Sequence, residues 1–261
     1  MTRITSSGFD IQNLLNFPSA LACCKKCLAV SQAMKRNCQQ QIYCPICGVQ
    51  YVVHGDSEFE RFRAYFKSNG LYLQNDHIFE HCHQLAAIAY RVNKYRSDYP
   101  PLAGLLQALH LARQFVHFTT FGISKDFLLV LKFIAQQVQV RGVVALTPDQ
   151  SWVLSELENY EAEAPNLCIK TIYTNTNSNW DDLPHQKLVV IDGLMAFKGS
   201  ANLTTTAWRK AARFYDVVEV VTQIDEVIAY HNRYFSSIWA KLSEHTDIIT
   251  ISSDNFDDFV A

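Results

Sequence analysis

The chain has 261 residues, of which 49% are hydrophobic and 18% are charged, a balance typical of a globular protein with a sizeable core. Its formal net charge is −2, so no overall basic field favours nucleic acid, and any site for a polyanion must be local. No apolar run is long enough to span a bilayer, and no apolar segment follows the first residues as in a signal peptide. We therefore expect a cytoplasmic protein that does not act at a membrane.

Cysteines are concentrated in the first 50 residues, which hold six of the eight in the chain. Two C-x2-C pairs, Cys24 with Cys27 and Cys44 with Cys47, stand 16 residues apart, within the range for a four-thiolate zinc site. Each pair lets one tight turn direct two sulfurs at the same ion, and a closed four-thiolate shell is structural. We predict a zinc-ribbon domain over residues 1–50, with a structural zinc and no catalytic metal.

Two features of this region stay open at the level of sequence. Cys23 and Cys38 are extra cysteines that could replace a zinc ligand, and the alternative to zinc is a set of buried, reduced thiols. The region also carries basic residues, namely Lys25, Lys26, Lys35 and Arg36. They suit contact with nucleic acid, but a folding staple or a dock for a partner protein explains the domain equally well.

A second group of potential metal ligands, His77, His81, Cys82 and His83, follows in a segment with helical character. His77 and His81 would share one face of that helix. No further ligand set lies nearby in the sequence, so we interpret this group as the polar face of a helix.

The rest of the chain divides at the Pro100-Pro101 pair. Residues 51–101 look helical, and we interpret them as a helical connector. From residue 102, helical spacing alternates with segments rich in β-branched and aromatic residues, which predicts an α/β domain over residues 102–252. An acidic tail, residues 253–261, ends the chain.

Within the α/β domain, the stretch PHQKLVVIDGLMAFKGSAN, residues 184–202, concentrates polar groups in an apolar run that should form a hairpin. If its first half is a strand, His185 and Lys187 point to the same face of the sheet, and Leu188 and Val190 pack on the opposite face. Asp192-Gly193 is a strong hairpin-turn signal.

The end of the same stretch predicts an anion site. Ser200 and Asn202 lead into the next helix, where backbone N–H groups are available to a negatively charged ligand. A histidine nucleophile, a lysine and a phosphate-binding helix start together favour phosphoryl-transfer chemistry, without an acidic cluster for a divalent metal.

These residues carry a family resemblance. The spacing His185-x-Lys187-x4-Asp192-x6-Gly199-Ser200-x-Asn202 matches the HKD signature of the phospholipase D superfamily at each defining position. The flanking α/β pattern also resembles one domain of that superfamily. The resemblance implies a mixed β-sheet flanked by helices, and it identifies residues 102–252 as a phospholipase D-like catalytic domain behind the zinc ribbon and the connector.

The resemblance also implies a mechanism. In the family, one motif histidine attacks phosphorus to form a phosphohistidine, and a second motif histidine protonates the leaving group and then activates water. By this resemblance His185 is the nucleophile or the acid, and Lys187, Ser200 and Asn202 bind the phosphate. The structural role of the remaining motif residue, Asp192, is expected to be fixation of the turn.

The family places an acid on the following strand, where it orients the histidine. We assign this role to Asp216, because Glu219 lies an odd number of residues further along the strand and would point to the opposite face. The strand QFVHFTTFGIS is expected to line the same cleft, with Thr119, Thr120 and either Phe118 or Phe121 near a bound base.

The chain has only one such motif, and none of its other histidines begins another. The chemistry needs two histidines, so the resemblance to single-motif bacterial nucleases implies a homodimer whose two-fold axis brings two motifs together. We therefore predict a metal-independent nuclease that acts on DNA or RNA. The alternatives are a non-catalytic nucleic-acid-binding or scaffold subunit of a phage-defence complex, with a partner protein of that system, and a phospholipid phosphodiesterase.

Overall fold

The computed structural model describes residues 20–23, 27–32, 42–43, 46–47, 50–51, 72–147, 150–174, 187–242 and 249–251. The candidate zinc ligands Cys24 and Cys44, the extra cysteine Cys38 and the candidate nucleophile His185 lie outside these ranges, as does the acidic tail.

Short strands form the described part of the N-terminal region. Strand β1 (Ala20–Cys23) pairs antiparallel with β2 (Val30–Gln32) and with β5 (Tyr72–Gln74). Strands β3 (Ile42–Tyr43) and β4 (Gln50–Tyr51) form a separate antiparallel pair. Strand β5, which completes the sheet around β1, lies within the range predicted as a helical connector, directly before a helix that begins at Asn75.

A larger mixed sheet follows after helices α1 (Asn75–Lys94) and α2 (Pro101–Leu111). Its strands are β6 (Phe115–Phe121), β7 (Gln139–Leu146), β8 (Leu167–Thr174), β9 (Lys187–Ile191), β10 (Met195–Gly199), β11 (Val218–Val221) and β12 (Ile249–Ile251). Among the described residues this sheet has seven strands in the order β11-β10-β9-β6-β7-β8-β12. The β6, β7, β8 and β12 ladders are parallel, whereas β9, β10 and β11 form an antiparallel meander beside β6.

Helices cover both faces of this sheet, as the α/β pattern predicts. They are α3 (Lys125–Ala135), α4 (Trp152–Glu163), α5 (Thr205–Ala212), α6 (Ile224–His231) and α7 (Ser237–Lys241), with a π-helical turn at Asn232–Ser236. The predicted mixed α/β fold is confirmed. Among the described helices, none combines the length and the apolar character that crossing a membrane requires.

Strand β9 is apolar on both faces because both of its faces are covered. Val189 and Ile191 belong to the core cluster formed with α1 to α5, whereas Leu188 and Val190 belong to the cluster formed with α6 and α7. The strand therefore reads as a continuous apolar run in the sequence, and only its flanking polar residues reveal which side carries the site.

Helix α1, which the sequence assigns to the connector, is built into the same core as the large sheet. Its residues Leu85, Ile88 and Val92 are fully buried in the larger cluster. Asn93 Nδ2 donates a hydrogen bond of 2.9 Å to the carbonyl oxygen of Val220, so the helix is also fixed to the edge strand β11. The hydrophobic core of the large sheet thus includes residues that precede residue 102.

The N-terminal strands contact the opposite side of the sheet through the π-helical turn. Asn232 Oδ1 accepts a hydrogen bond of 2.8 Å from the backbone N–H of Val30, and its Nδ2 donates one of 3.0 Å to the carbonyl oxygen of Val30. Next to these two hydrogen bonds lies a buried histidine pair, in which His117 Nδ1 and His231 Nε2 are 2.7 Å apart. Burial lowers the pKa of His231 to about 4, so the imidazole is neutral at physiological pH.

The β9–β10 hairpin is fixed by Asp192. The central residues of its turn, Asp192 and Gly193, have φ values of 54° and 71°, and the predicted Asp-Gly turn is present. The Asp192 carboxylate accepts hydrogen bonds of 2.8–2.9 Å from the backbone N–H groups of Arg113, Gln114 and Phe115. His81 Nε2 donates to it from α1 at 2.7 Å, and both side chains are almost completely buried.

We expect Asp192→Ala to lower the free energy of unfolding by roughly 3 kcal/mol or more, because it leaves buried donors from two segments without an acceptor. The measurement is a urea unfolding curve. The matched control is Asp98→Ala, which removes an exposed carboxylate that accepts a hydrogen bond from Ser97. Equal losses in the two variants would contradict a fixing role for Asp192.

Candidate functional site

The ends of three neighbouring strands bring the candidate site residues to one edge of the large sheet. Gly199, the last residue of β10, pairs with Lys187, the first residue of β9. On its other side Gly199 pairs with Val218, the first residue of β11. Lys187, Ser200 and Asp216 therefore converge from three separate elements.

Gly199 permits this convergence because the backbone before β11 passes directly over it. A Cβ atom on Gly199 would lie 2.0 Å from the carbonyl oxygen of Val217, and the residue has a φ of 152°. The Ser200 N–H donates a hydrogen bond of 2.9 Å to the same carbonyl oxygen. The glycine of the motif is thus required by a close approach of two backbone segments.

Ser200 and Asp216 form a hydrogen-bonded unit at this point. Ser200 Oγ donates to Asp216 Oδ1 at 3.0 Å, and it accepts from the backbone N–H of Val217 at 2.9 Å. The serine proton is therefore directed at the carboxylate, and Ser200 holds Asp216 in position. The sequence predicts that Asp216 lies on this strand, but β11 begins at Val218, so Asp216 lies two residues before the strand.

The predicted difference between the two acids near β11 is present in the structure. Asp216 lies close enough to Lys187 to favour its charged form. Glu219 instead forms an ion pair with Lys198, with 3.1 Å between Oε2 and Nζ, and Lys198 Nζ donates to the hydroxyl of Tyr230 on α6. Glu219 therefore lies on the opposite face of the sheet.

Lys187 is a buried cation in this cluster, with only 8% of its surface exposed. Burial lowers the pKa of Lys187 to about 8, and the nearby Asp216 carboxylate opposes part of this effect. The Lys187 Nζ lies 5.8 Å from the centre of the Phe121 ring. An ammonium group held in such a low-dielectric position interacts strongly with an anion that enters the site.

Asn202 lies two residues beyond Ser200 and is half-buried. Its Oδ1 atom is buried and has no hydrogen-bond partner among the described residues. A buried acceptor of this kind usually has a partner. Helix α5 begins at Thr205 and is capped by Thr204, whose Oγ1 accepts from the Ala207 N–H, so the residues of the predicted anion site precede the first turn of the helix. Ser200 and Asn202 lie in the loop before this cap.

Of the other residues of the predicted site, one lies outside the described residues and one lies away from this cluster. His185 lies outside the described residues, two positions before Lys187. Asp192 follows the far end of β9, roughly 16 Å from Lys187 at the rise of an extended strand. The structure thus separates Asp192 from the other motif side chains and uses it in the hairpin turn.

The predicted cleft lining on β6 is mostly structural. Phe118 is completely buried, and its ring packs where a Cβ on Gly142 would be only 2.1 Å away, so it cannot stack a base. Thr119 donates to the carbonyl oxygen of Tyr234, and Thr120 accepts from the Leu203 N–H. Phe121 does lie near the site, because the centre of its ring is 5.8 Å from the Lys187 Nζ.

Two aromatic residues that immediately precede Asp216 were not among the predicted site residues. Phe214 and Tyr215 are 72% and 80% exposed. Their adjacency to the assigned acid, together with the neighbouring arginines and lysine of the segment WRKAARFYD, is the sequence signal that could have identified them.

The zinc prediction can be examined at only two of its four ligands. Cys27 is buried and Cys47 is half-buried, and no cluster of metal-binding side chains appears within the described ranges, which omit Cys24 and Cys44. Leu28, directly after the first pair, has a φ of 62°. A leucine rarely adopts this conformation, and the sequence places a glycine at the equivalent position after the second pair. The local backbone therefore fits a cysteine turn.

Comparison with known proteins gives one family match. The family described as "Cardiolipin synthase, PLD-like domain" matches residues 105–239, just over half of the chain. The residues that converge at the sheet edge all lie inside this range. None of the curated proteins compared matches the chain significantly.

Solved structures with similar folds were also found. NucT from Helicobacter pylori is 20% identical over 54% of this chain and 88% of that chain, with a TM-score of 0.42. Nuc from Salmonella typhimurium, a phospholipase D family member, is 18% identical over 50% of this chain and 81% of its own, with a TM-score of 0.39. TrmBL2, an archaeal chromatin protein described with a novel mode of DNA binding, is 12% identical over 60% and 52% of the two chains, with a TM-score of 0.37.

The lowered pKa of Lys187 predicts a pH-dependent anion site. Below about pH 8 the ammonium is charged, and above it the amine is neutral, so affinity for sulfate should fall by roughly tenfold between about pH 7 and about pH 9. Sulfate keeps a constant charge over this range, and binding can be followed by calorimetry. In Lys187→Arg the charge persists, so affinity should not fall. A flat profile in the wild type, or an equal fall in both proteins, would contradict the assignment.

Proposed function

The chain belongs to the PLD-like domain family, and from this premise we propose that it is a phosphodiesterase that cleaves DNA or RNA through a phosphohistidine intermediate. The observation that carries the proposal is the convergence of Lys187 with the Ser200–Asp216 unit at one sheet edge. Asn202 lies two residues after Ser200 in the sequence, and the N–H groups of its side-chain amide are suitable donors to a phosphate oxygen. His185 precedes Lys187 by two residues, which is the spacing of side chains on one face of a strand.

In the proposed reaction a neutral imidazole nitrogen of His185 attacks phosphorus, and the bond between phosphorus and the leaving oxygen breaks. A second, protonated histidine gives its proton to that oxygen. It then removes a proton from water, whose oxygen attacks phosphorus as the phosphorus–nitrogen bond breaks and His185 is restored. Lys187 and Asn202 bind the phosphate oxygens throughout.

Asp216 has a positioning role in this proposal. A carboxylate that accepts from one imidazole N–H leaves the other nitrogen available for attack and stabilises the charge that develops on the ring. Ser200 occupies one oxygen of Asp216, so the second oxygen is assigned to His185. The positive charge needed at phosphorus is assigned to Lys187, and no divalent metal is required in this scheme.

Nucleic acid is proposed as the substrate in preference to lipid because several exposed basic residues precede Asp216 in the sequence. Arg209, Lys210 and Arg213 are exposed on or after α5, close in sequence to Asp216. In a chain with a net charge of −2, such a local group supports contact with a polyanion.

The wild-type protein is expected to cleave plasmid, single-stranded DNA or RNA in the presence of EDTA, and His185→Ala should reduce the rate roughly a thousandfold or more. Gel assays with all three substrates, and with phospholipid vesicles in parallel, measure this. His83→Ala is the matched control, since this exposed histidine on α1 lies outside the motif. Turnover of vesicles alone would indicate a phospholipid phosphodiesterase, and no turnover of any substrate would favour the non-catalytic binding or scaffold subunit of a defence complex.

A homodimer is part of the proposal because one chain carries one motif histidine. If both histidines of a dimer act on one phosphate, a mixed dimer of wild type and His185→Ala is inactive. Co-expression at equal levels should then leave roughly one quarter of the wild-type activity, and activity should follow the square of the wild-type fraction. A linear dependence on that fraction, or full activity in a monomer by light scattering, would contradict a shared site.

We also propose a structural zinc held by Cys24, Cys27, Cys44 and Cys47, supported by the left-handed backbone at Leu28. Metal analysis of the folded protein should give about one zinc per chain, and Cys27→Ser should lower this content together with the unfolding temperature. Cys168→Ser, which changes a cysteine outside the ribbon, is the control. Well under one equivalent of zinc in folded wild-type protein would contradict the site. A defence-system partner for this domain remains a prediction.

A further inference from the structure

Helix α5 ends in a turn that presents two aromatic side chains beside the site. The Phe214 N–H bonds to the carbonyl oxygen of Ala211, and the Tyr215 N–H bonds to that of Lys210 at 3.1 Å. This pair of bonds is the Schellman motif, which places the residue after the helix cap in a left-handed conformation. Phe214 occupies that position with a φ of 63°.

Phenylalanine is an unfavourable choice at this position. Glycine adopts the left-handed conformation without steric cost, whereas an aromatic residue there is a rare exception. Phe214 also gains little from burial, since 72% of its surface is exposed. Strained, exposed residues of this kind cluster at functional sites, because folding stability alone does not favour them.

The two rings are accompanied by positive charge. The guanidinium of Arg96 lies 5.0 Å from the centre of the Phe214 ring, and its Nη2 donates to the carbonyl oxygen of Val218 at 2.5 Å. Lys210 and Arg213 are exposed on the same helix end. An exposed aromatic ring next to a cation, on a helix end with further exposed cations, suits a ligand with flat rings and a negatively charged backbone.

The position of this surface links it to the reaction. Asp216 directly follows Tyr215, and the backbone N–H of Val217 donates to Ser200 Oγ. A polymer bound on the two rings therefore runs next to the cluster that contains Lys187, Ser200 and Asp216.

We infer that Phe214 and Tyr215, flanked by Arg96, Lys210 and Arg213, form a stacking platform for unpaired bases. The platform makes single-stranded nucleic acid, or a single-stranded segment next to a duplex, the substrate class of the site. This inference rests on the proposed nuclease function and specifies its substrate. In a duplex the base faces are stacked on each other, so the platform discriminates by access to the rings of the bases.

A second copy of the chain is the competing occupant of this surface. The nearby Val217 is 63% exposed and adds apolar area, which an interface would use. Several like charges within one patch oppose self-association about a two-fold axis, because the axis would bring the cations of both copies together. The charge around the rings therefore favours a polyanion over a second copy.

The test measures binding separately from cleavage. In a His185→Ala background, fluorescence anisotropy follows a short labelled single-stranded oligothymidine and a duplex of the same length. Phe214→Gly should weaken single-strand affinity by roughly tenfold and leave duplex affinity within about twofold. Because glycine suits the left-handed position, the unfolding temperature should stay equal or rise, so a loss of affinity is not a loss of folding.

Two further variants make the comparison specific. Tyr215→Ala removes a ring that is 80% exposed, and it should reproduce the loss of single-strand affinity without any change at a strained position. Phe133→Ala removes a 57% exposed phenylalanine from α3, away from the platform, and should bind both oligonucleotides as the parent does.

Three results would overturn the inference: unchanged single-strand affinity in both platform variants, an equal loss for single strand and duplex, or dissociation of the dimer by light scattering in either variant. The last would assign the surface to contact between copies. These results are distinguishable from failure of the proposed function, which is read from cleavage by the protein with His185 intact. If the oligonucleotides bind as predicted but the protein with His185 intact cleaves none of its substrates, the stacking platform is supported and the proposed nuclease activity is contradicted.

Discussion

The close approach of two backbone segments at Gly199 is the constraint on which the candidate site depends. The carbonyl oxygen of Val217 occupies the space that a side chain on Gly199 would need. This contact brings the chain before β11 over the end of β10, so that Ser200 can bond both Asp216 and the Val217 N–H. Since Gly199 also pairs with Lys187, a single backbone contact determines the relative positions of three polar side chains. The arrangement of polar groups at this edge is therefore a consequence of sheet geometry.

The motif divides its polar residues between two tasks at the two ends of β9. At one end Lys187 is buried, and burial disfavours its charged form and lowers its pKa to about 8. At the other end Asp192 is buried with its charge compensated by backbone N–H groups and by His81. The compensated charge serves stability, because it joins α1, the start of β6 and the hairpin. Lys187, whose pKa is lowered by burial, is the group expected to meet an external anion, which follows the general link between perturbed ionisation and function.

Alternation along the strands was the most informative part of the sequence. It predicted that Leu188 and Val190 face away from the Lys187 side, and that Asp216 and Glu219 diverge, and the structure agrees on both points. The helix predicted after Ser200 and Asn202 is present, but it begins at Thr205 with Thr204 as its cap, so neither of those two residues lies in its first turn. The close packing of Phe118 over Gly142 depends on the pairing of β6 with β7, which local patterns do not contain. Predictions that depend on His185, Cys24 and Cys44 remain predictions, since these residues lie outside the described part of the chain.

Charge balance explains why such a site would need help from its surroundings. Lys187 and Asp216 carry opposite charges within one copy, so their combined field at long range is weak, and the whole chain has a net charge of −2. Attraction of a polyanion therefore has to come from side chains around the site, whereas the buried lysine acts only at short range, after the phosphate has displaced water. The exposed cations near the end of α5 meet this requirement, because they lie within a few residues of Asp216 and have no part in the core. Capture and chemistry are thus assigned to adjacent but separate groups, and the turn at Phe214 is the element that joins them.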